Sequence, residues 1–211
     1  MNLTKKFKSL SDVLKYYSIR YAKEDFKIVK TINISETFKS DILFTLNEIP
    51  YKVSEAAICE NLIYPLLKEA WKLYTDIFSL WSHQSLEDNE GFLRVPDYMI
   101  SKRSELGKII FDFPLLAVIE AKKDDFSLGW TQCSLDMIKI KQINKNDDMN
   151  IYGIVSNGEI WEIAKLEQQR FVMYKNRFFI EELESLFNAL ISVLELCKLQ
   201  LIDLKLLTIA G

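Results

Sequence analysis

The sequence predicts a mixed α/β domain in which helices and strands surround one sheet. Three observations carry that expectation. The run LLAVIEAKK, Leu115 to Lys123, begins as an uninterrupted apolar stretch, as a strand covered on both faces does. Two segments, one starting at Ser54 and one over Leu128 to Asn144, carry apolar residues at helical spacing. Asn157-Gly158 separates two apolar runs in IYGIVSNGEIWEI, residues 151–163, and is the strongest hairpin signal in the chain.

The elements follow in order. Ser11-Asp12 is expected to cap a short helix through Tyr17. Phe26, Ile28, Ile32 and Ile34 then alternate like a strand. Ser54 is a good N-cap for a long helix whose apolar positions are Ile58, Leu62, Ile63, Leu66, Leu67 and Trp71. Pro65 should kink or split it, having no N–H to give and a ring that crowds the preceding turn. Leu80–Asn89 reads as irregular. A strand is expected from Phe92 to Ser101, a turn at Glu105–Gly107, and one or two strands from Ile109 to Ala121. The helix at Leu128–Asn144 has one apolar stripe of Trp130, Cys133, Met137 and Ile140 and a second with Leu135 and Ile138, so it should be largely covered. The 151–163 hairpin, a strand near Phe171–Tyr174 and a long helix from Ile180 complete the chain. Residues 1–53 read as an N-terminal extension packed on the core, 54–175 as the core, and 176–211 as a C-terminal helix of the same domain.

Composition narrows the function classes. The chain has 211 residues, 49% hydrophobic and 27% charged, with ten Gly and Pro together, which suits one core-forming domain rather than a linker-rich chain. Its net charge is −3 and its pI about 5.4, so any contact with nucleic acid must be local rather than a basic coat. Cys59, Cys133 and Cys197 form no CxxC pair, which argues for reduced buried thiols and against zinc. One histidine, His83, excludes a multi-histidine metal site and is expected to be structural. The N-terminus lacks an apolar signal region. The apolar stretch Leu186–Ile209 carries Asn188, Glu195, Lys198, Gln200, Asp203 and Lys205, too many polar groups for a membrane span. A cytoplasmic protein is expected.

Chemistry concentrates on the central strand. Glu120 and Lys122 interrupt an apolar run, where charges are costly unless they have a use. They are two residues apart, so they point to the same face, about 7 Å apart along the strand. Pro96-Asp97 precedes them, with 22 residues between Asp97 and Glu120. On a neighbouring antiparallel strand, Asp97 would share one hard cation with Glu120, and the Ala121 carbonyl is a further candidate ligand. Phosphodiester hydrolysis suits such a set, because a divalent ion activates water and polarises a phosphoryl oxygen. Mg²⁺ keeps several of its waters, so one or two carboxylates suffice. A nearby lysine orients the water or offsets developing charge.

Together Pro96-Asp97 and Glu120-Ala121-Lys122 resemble the PD-(D/E)xK nuclease superfamily. The resemblance spans about Ser54 to Leu166. It includes the upstream acid-bearing helix SEAAICENLIYPLL, the downstream helix GWTQCSLDM with its glutamine, and the hairpin YGIVSNGEIWEI. The hairpin looks like the segment that follows the site in type I restriction-subunit nuclease domains and small stand-alone relatives. The resemblance implies a restriction-endonuclease-like αβββαβ core with a central mixed sheet flanked by helices, and Mg²⁺-dependent cleavage of DNA, with Mn²⁺ as a possible substitute. It implies Asp97 and Glu120 as metal ligands, Lys122 as the residue assisting water, and Gln132 on the second helix as part of the site. A helix glutamate often completes such sites. Glu60 is preferred here, with Glu55 as the alternative; about 140° separates them around an α-helix, so only one is expected to face the site. Lys102, Arg103, Lys108, Lys123, Lys139, Lys141 and Lys145 are candidate phosphate contacts, though Lys139–Lys145 also reads as the wet face of a helix. Leu190, Leu194 and Leu201 would serve a homodimer through the C-terminal helix, or docking on a separate motor or targeting subunit. The same fold without catalysis, as a binding or assembly module, is the competing expectation.

Overall fold

The computed structural model describes residues 7–87 and 93–207. Helix α1 (Leu10–Tyr16) is capped by Ser9, two residues earlier than expected: its Oγ accepts from the Asp12 N–H at 3.2 Å, and Asp12 accepts in turn from the Lys8 N–H at 3.1 Å. Strand β1 (Arg20–Glu24) follows. The strand expected over Phe26–Ile34 is absent. Its alternation is real, and Phe26 and Ile34 are buried, but side chains rather than another strand bind the backbone. The N–H groups of Phe26, Val29 and Ile32 donate to Asn176 Oδ1 (2.7 Å), Ser192 Oγ (3.0 Å) and Asn188 Oδ1 (2.7 Å). Helix α2 (Glu36–Glu48), capped by Ser35, is an element the sequence reading did not anticipate.

Ser54 caps the next helix as expected, accepting from the Ala57 N–H at 3.0 Å. The helix runs as α3 (Glu55–Ile58), a π-helical segment (Cys59–Ile63) and α4 (Tyr64–Trp71). Pro65 acts one turn ahead of itself. It has no N–H, and its ring needs room near the carbonyl four residues back, so the preceding turn widens.

The region expected to be irregular holds β2 (Phe78–Ser82) and the start of a two-stranded ribbon, β3 (Leu86–Glu87) with β4 (Leu93–Arg94). Asn89 and Phe92 lie outside the described residues. The strand expected from Phe92 to Ser101 is therefore broken into β4 and β5 (Tyr98–Lys102). Glu105 and Leu106 make the expected turn, but residues 109–113 form no strand, and only Leu115–Ala121 becomes β6. All seven residues of β6 are buried, because the sheet is covered on both sides.

Helix α5 (Phe126–Asn144) starts at Asp125, whose Oδ1 accepts from the Leu128 N–H at 2.9 Å, and buries both predicted stripes. The hairpin forms as β7 (Ile151–Ser156) and β8 (Ile160–Glu167), with Gly158 at φ +85°. Asn157 Oδ1 accepts from the Glu159 and Ile160 N–H groups at 3.1 and 2.8 Å, closing the turn. Strand β9 (Arg170–Phe179) runs well beyond the expected Tyr174, and α6 (Leu183–Asp203) ends the described chain.

The seven-stranded sheet has the order β1-β9-β8-β7-β6-β5-β2, parallel at β1–β9 and β6–β7 and antiparallel elsewhere. From α3 onward the main elements run helix, three strands of this sheet, helix, strand. Residues 7–53 contribute to the sheet and the core: β1 forms one sheet edge, and Val13, Phe38 and Ile42 join the core.

Helix α6 is long and apolar enough to cross a membrane by length and composition alone. Its burial inside the fold is consistent with a soluble protein. Leu190, Leu194 and Leu201, expected to face a partner, are 2%, 6% and 0% exposed and belong to the monomer's own core. Three of the polar groups noted along it are used internally: Asn188 and Gln200 bind the backbone of other segments, and Glu195 accepts from Lys30 Nζ at 2.9 Å and Tyr74 OH at 2.7 Å.

Candidate active site

The parallel step from β6 to β7 runs through α5, and Glu120, Ala121 and Lys122 lie buried at the carboxyl end of β6. Along β6, Val118 and Glu120 face α5, whereas Ala117 and Ile119 face α4 and α6. The sequence places Gly129 where α5 passes Lys122. A Cβ there would meet Val155 Cγ1 at 2.7 Å and the Lys122 side chain at 2.9 Å, so glycine lets the helix close on the lysine stem.

Asp97 is not within a strand, as expected, but at the bend just before β5. The antiparallel register Tyr98↔Ile119 nevertheless carries it to the right place. Its Oδ2 accepts from the Ala121 N–H at 2.7 Å, midway between Glu120 and Lys122. Lys122 Nζ stands 3.6 Å from Glu120 Oε2. The structure thus brings together Asp97, Glu120 and Lys122. The Ala121 carbonyl, a candidate ligand, accepts from Lys122 Nζ at 2.6 Å and is engaged within the chain.

The helix glutamates resolve differently from expectation. Glu55 Oε2 is 3.5 Å from Lys122 Nζ. Glu60 is exposed and lines an adjoining groove with Ser82, His83 and Tyr98. The π-helical segment between them changes the angular relation that an uninterrupted α-helix would impose. Gln132 lies half-buried one turn before Asp136 on α5, outside the chain of ion pairs.

Three residues of the cluster were not assigned to it from the sequence. Arg94 donates through Nε and Nη2 to Asp136 and through Nη2 to Glu120 Oε1 at 3.3 Å, joining the two acids. Its signal in the sequence was slight: a basic residue three before Asp97. Asp136 is fully buried, an acid set among the covered positions of a helix with two apolar stripes. His83, expected to be structural, approaches Asp97 Oδ1 to 3.7 Å through Nε2, and its N–H donates to the Asp97 carbonyl at 2.9 Å. Conversely, Lys139 and Lys141 are both 8% exposed, and Lys141 ties down the α5–β7 loop through the Asp147 and Met149 carbonyls. Neither forms a wet phosphate-facing surface.

No protein-family model matches the chain, and no curated protein is similar to it.

Burial is the main force on the acids. It raises the Glu120 carboxyl well above the ordinary range; neighbouring Asp136 and Asp97 add to the rise, and Arg94 opposes it. Burial raises Asp136 too, against the Arg94 guanidinium. Groups with raised values in the folded state contribute stability below the ordinary carboxylate range and lose it as pH rises through the raised value. Glu120→Gln, which keeps the shape of the neutral acid, should therefore stabilise the metal-free protein by on the order of 1–2 kcal/mol at pH 8 and hardly at all at pH 4. Urea denaturation at both pH values in EDTA checks this. A stabilisation that is equal at both would refute the cause given.

Among the described residues no three His, Cys, Asp or Glu side chains form a ready metal-binding group. A magnesium site that retains its waters asks for less. Asp97, at the bend before β5, and Glu120, on the neighbouring β6, are hard oxygen donors. The network sets four carboxyl groups, those of Asp97, Glu120, Asp136 and Glu55, beside Arg94 and Lys122. That donor chemistry fits a divalent cation.

Proposed function

We propose that this chain is a Mg²⁺-dependent endodeoxyribonuclease of the restriction-endonuclease-like fold, hydrolysing DNA phosphodiester bonds in the cytoplasm. The observation that carries the reading is the meeting of Asp97 with the Ala121 amide between Glu120 and Lys122. The helix, three-strand, helix, strand order around it supports the same reading.

Asp97 and Glu120 would hold the cation, with Mn²⁺ as a possible substitute. When bound, the cation supplies Lewis acidity, acidifying water and drawing charge from a phosphoryl oxygen. Lys122 is held by the Ala121 carbonyl, Glu120 and Glu55, so its ammonium is positioned before substrate arrives. It orients the attacking water and offsets charge on the phosphate. The Ala121 amide fixes Asp97, and Arg94 keeps two buried acids from repelling each other.

Arg94 also favours a second reading, a catalytically silent module of the same fold that works with a partner subunit. Its guanidinium already neutralises Glu120 and Asp136 from within the chain. Calorimetric titration with Mn²⁺ separates the readings. The nuclease should bind with a Kd in the micromolar-to-millimolar range, and Asp97→Ala should remove the heat. Absence of binding to the wild type would leave the silent module.

A further inference from the structure

We infer that the groove beside Asp97 is a subsite for one unstacked nucleobase of the DNA strand, an inference that rests on the nuclease reading. The groove encloses about 520 Å³ and is lined by Cys59, Glu60, Tyr64, Ser82, His83 and Tyr98. That volume lies in the range of sites that take small organic groups, roughly 300–1,000 Å³.

Its position comes from the backbone. Tyr98 follows Asp97 directly and is 3% exposed, forming the floor. His83 is the shared wall, within 3.7 Å of Asp97 Oδ1 on one side and lining the groove on the other. A strand with its phosphate at Asp97 therefore has its neighbouring base at this opening. His83 holds φ +51°, rare for a residue with a side chain, and its Nδ1 lies 2.9 Å from Ser82 Oγ.

The lining suits a base. Tyr64 stacks on Tyr98 at 6.1 Å between ring centres with 19° between planes, and His83 meets Tyr98 edge-on at 6.0 Å. Tyr64 keeps 38% of its surface open. A partly exposed ring backed by a second ring, covered on its outer side only by the flexible Lys68 ammonium that a base would displace, is a platform that accepts any base. The π-helical turn creates it: the Tyr64 N–H bonds the Cys59 carbonyl five residues back, so both residues line the groove. In an α-helix they would be about 140° apart. Glu60 adds carboxyl oxygens that can accept from the exocyclic amine of cytosine, adenine or guanine, a group that thymine lacks. Lys68 Nζ lies 5.9 Å over the Tyr64 ring and brings positive charge to the rim for the flanking phosphate.

The test uses the full chain in EDTA with single-stranded oligonucleotides carrying one 2-aminopurine, whose fluorescence falls on stacking. Wild type should quench it. Tyr64→Ala should lose the quench and weaken binding about 5- to 150-fold, the range of one base–aromatic stack, while Tyr64→Phe should retain both. Cytosine at the quenched position should compete at least about fivefold better than thymine, and Glu60→Gln should remove that preference. Free 2-aminopurine nucleoside monophosphate should bind far more weakly than the strand; equal binding would overturn a strand subsite in favour of a nucleotide pocket. An unquenched wild type, or Tyr64→Ala that quenches like wild type, would overturn the subsite. Parallel cleavage assays in Mn²⁺ keep the two readings apart: quenching without cleavage sinks the nuclease and leaves the base subsite, and cleavage without Tyr64-dependent quenching does the reverse.

Discussion

Lys122→Met should lower Mg²⁺-dependent DNA cleavage by about 10²- to 10³-fold while leaving the protein folded, the effect of removing one preorganised charge from a phosphoryl-transfer site. Methionine keeps an aliphatic stem where Lys122 packs against Gly129, so α5 stays docked on β6. Glu120 loses one of its two cationic neighbours but keeps Arg94. Its raised carboxyl also takes up a proton readily, which limits the cost in stability. Asp97→Ala should reduce cleavage at least as far, because on the proposed reading it removes a metal ligand. Plasmid nicking with circular dichroism on the same samples reads both effects. Full nicking by both variants would dismiss the assignment.

Arg94→Ala should give the largest loss of stability, about 3–5 kcal/mol at pH 8, because it leaves two buried carboxylates without their shared cation. Asp136 is fully buried and Glu120 is 4% exposed, so water does not replace the guanidinium. The loss should shrink as pH falls. Both carboxyls already lie above the ordinary range in the intact protein, and without Arg94 they would rise further, so protonation relieves the strain at mildly acid pH. Arg94→Lys should recover only part of the stability, since an ammonium cannot span both acids as the planar fork does. Arg94→Met combined with Asp136→Leu should recover more than Arg94→Met alone, because an apolar pair leaves one fewer charge stranded. Urea denaturation at pH 5 and pH 8 measures each case; a pH-independent loss for Arg94→Ala would show that packing, not charge, is what Arg94 supplies.

The features written in local patterns were the ones legible in the sequence. LLAVIEA is apolar at every position but one because both faces of β6 are covered, and the exception marks the site. Ser54 and Asn157-Gly158 carry their structural reasons in adjacent residues: a hydroxyl for an orphan N–H, a glycine for a positive φ. Where prediction failed, distant partners decided. The alternation of Phe26 to Ile34 was read as a strand, yet Asn176, Asn188 and Ser192 bind that backbone. Leu190, Leu194 and Leu201 looked available for a partner and were taken up by the sheet. The gap between residues 107 and 115 hid the strand start, because exposed apolar residues such as Ile109 and Ile110 mimic a core run.

By itself the sequence determined the mixed α/β class, the central strand with its paired charges, and the types of residue available for chemistry, because each depends on contacts within a turn or a strand. Tertiary structure alone decided the site's composition. The β5–β6 register brought Asp97 to the Ala121 amide, a π-helical turn set Glu55 on Lys122 and Glu60 in the neighbouring groove, and Arg94 and Asp136 entered from elements far apart in the chain. The physical reason is desolvation. A buried charge costs several kcal/mol unless an opposite charge reaches it, and only the folded chain determines which residue arrives.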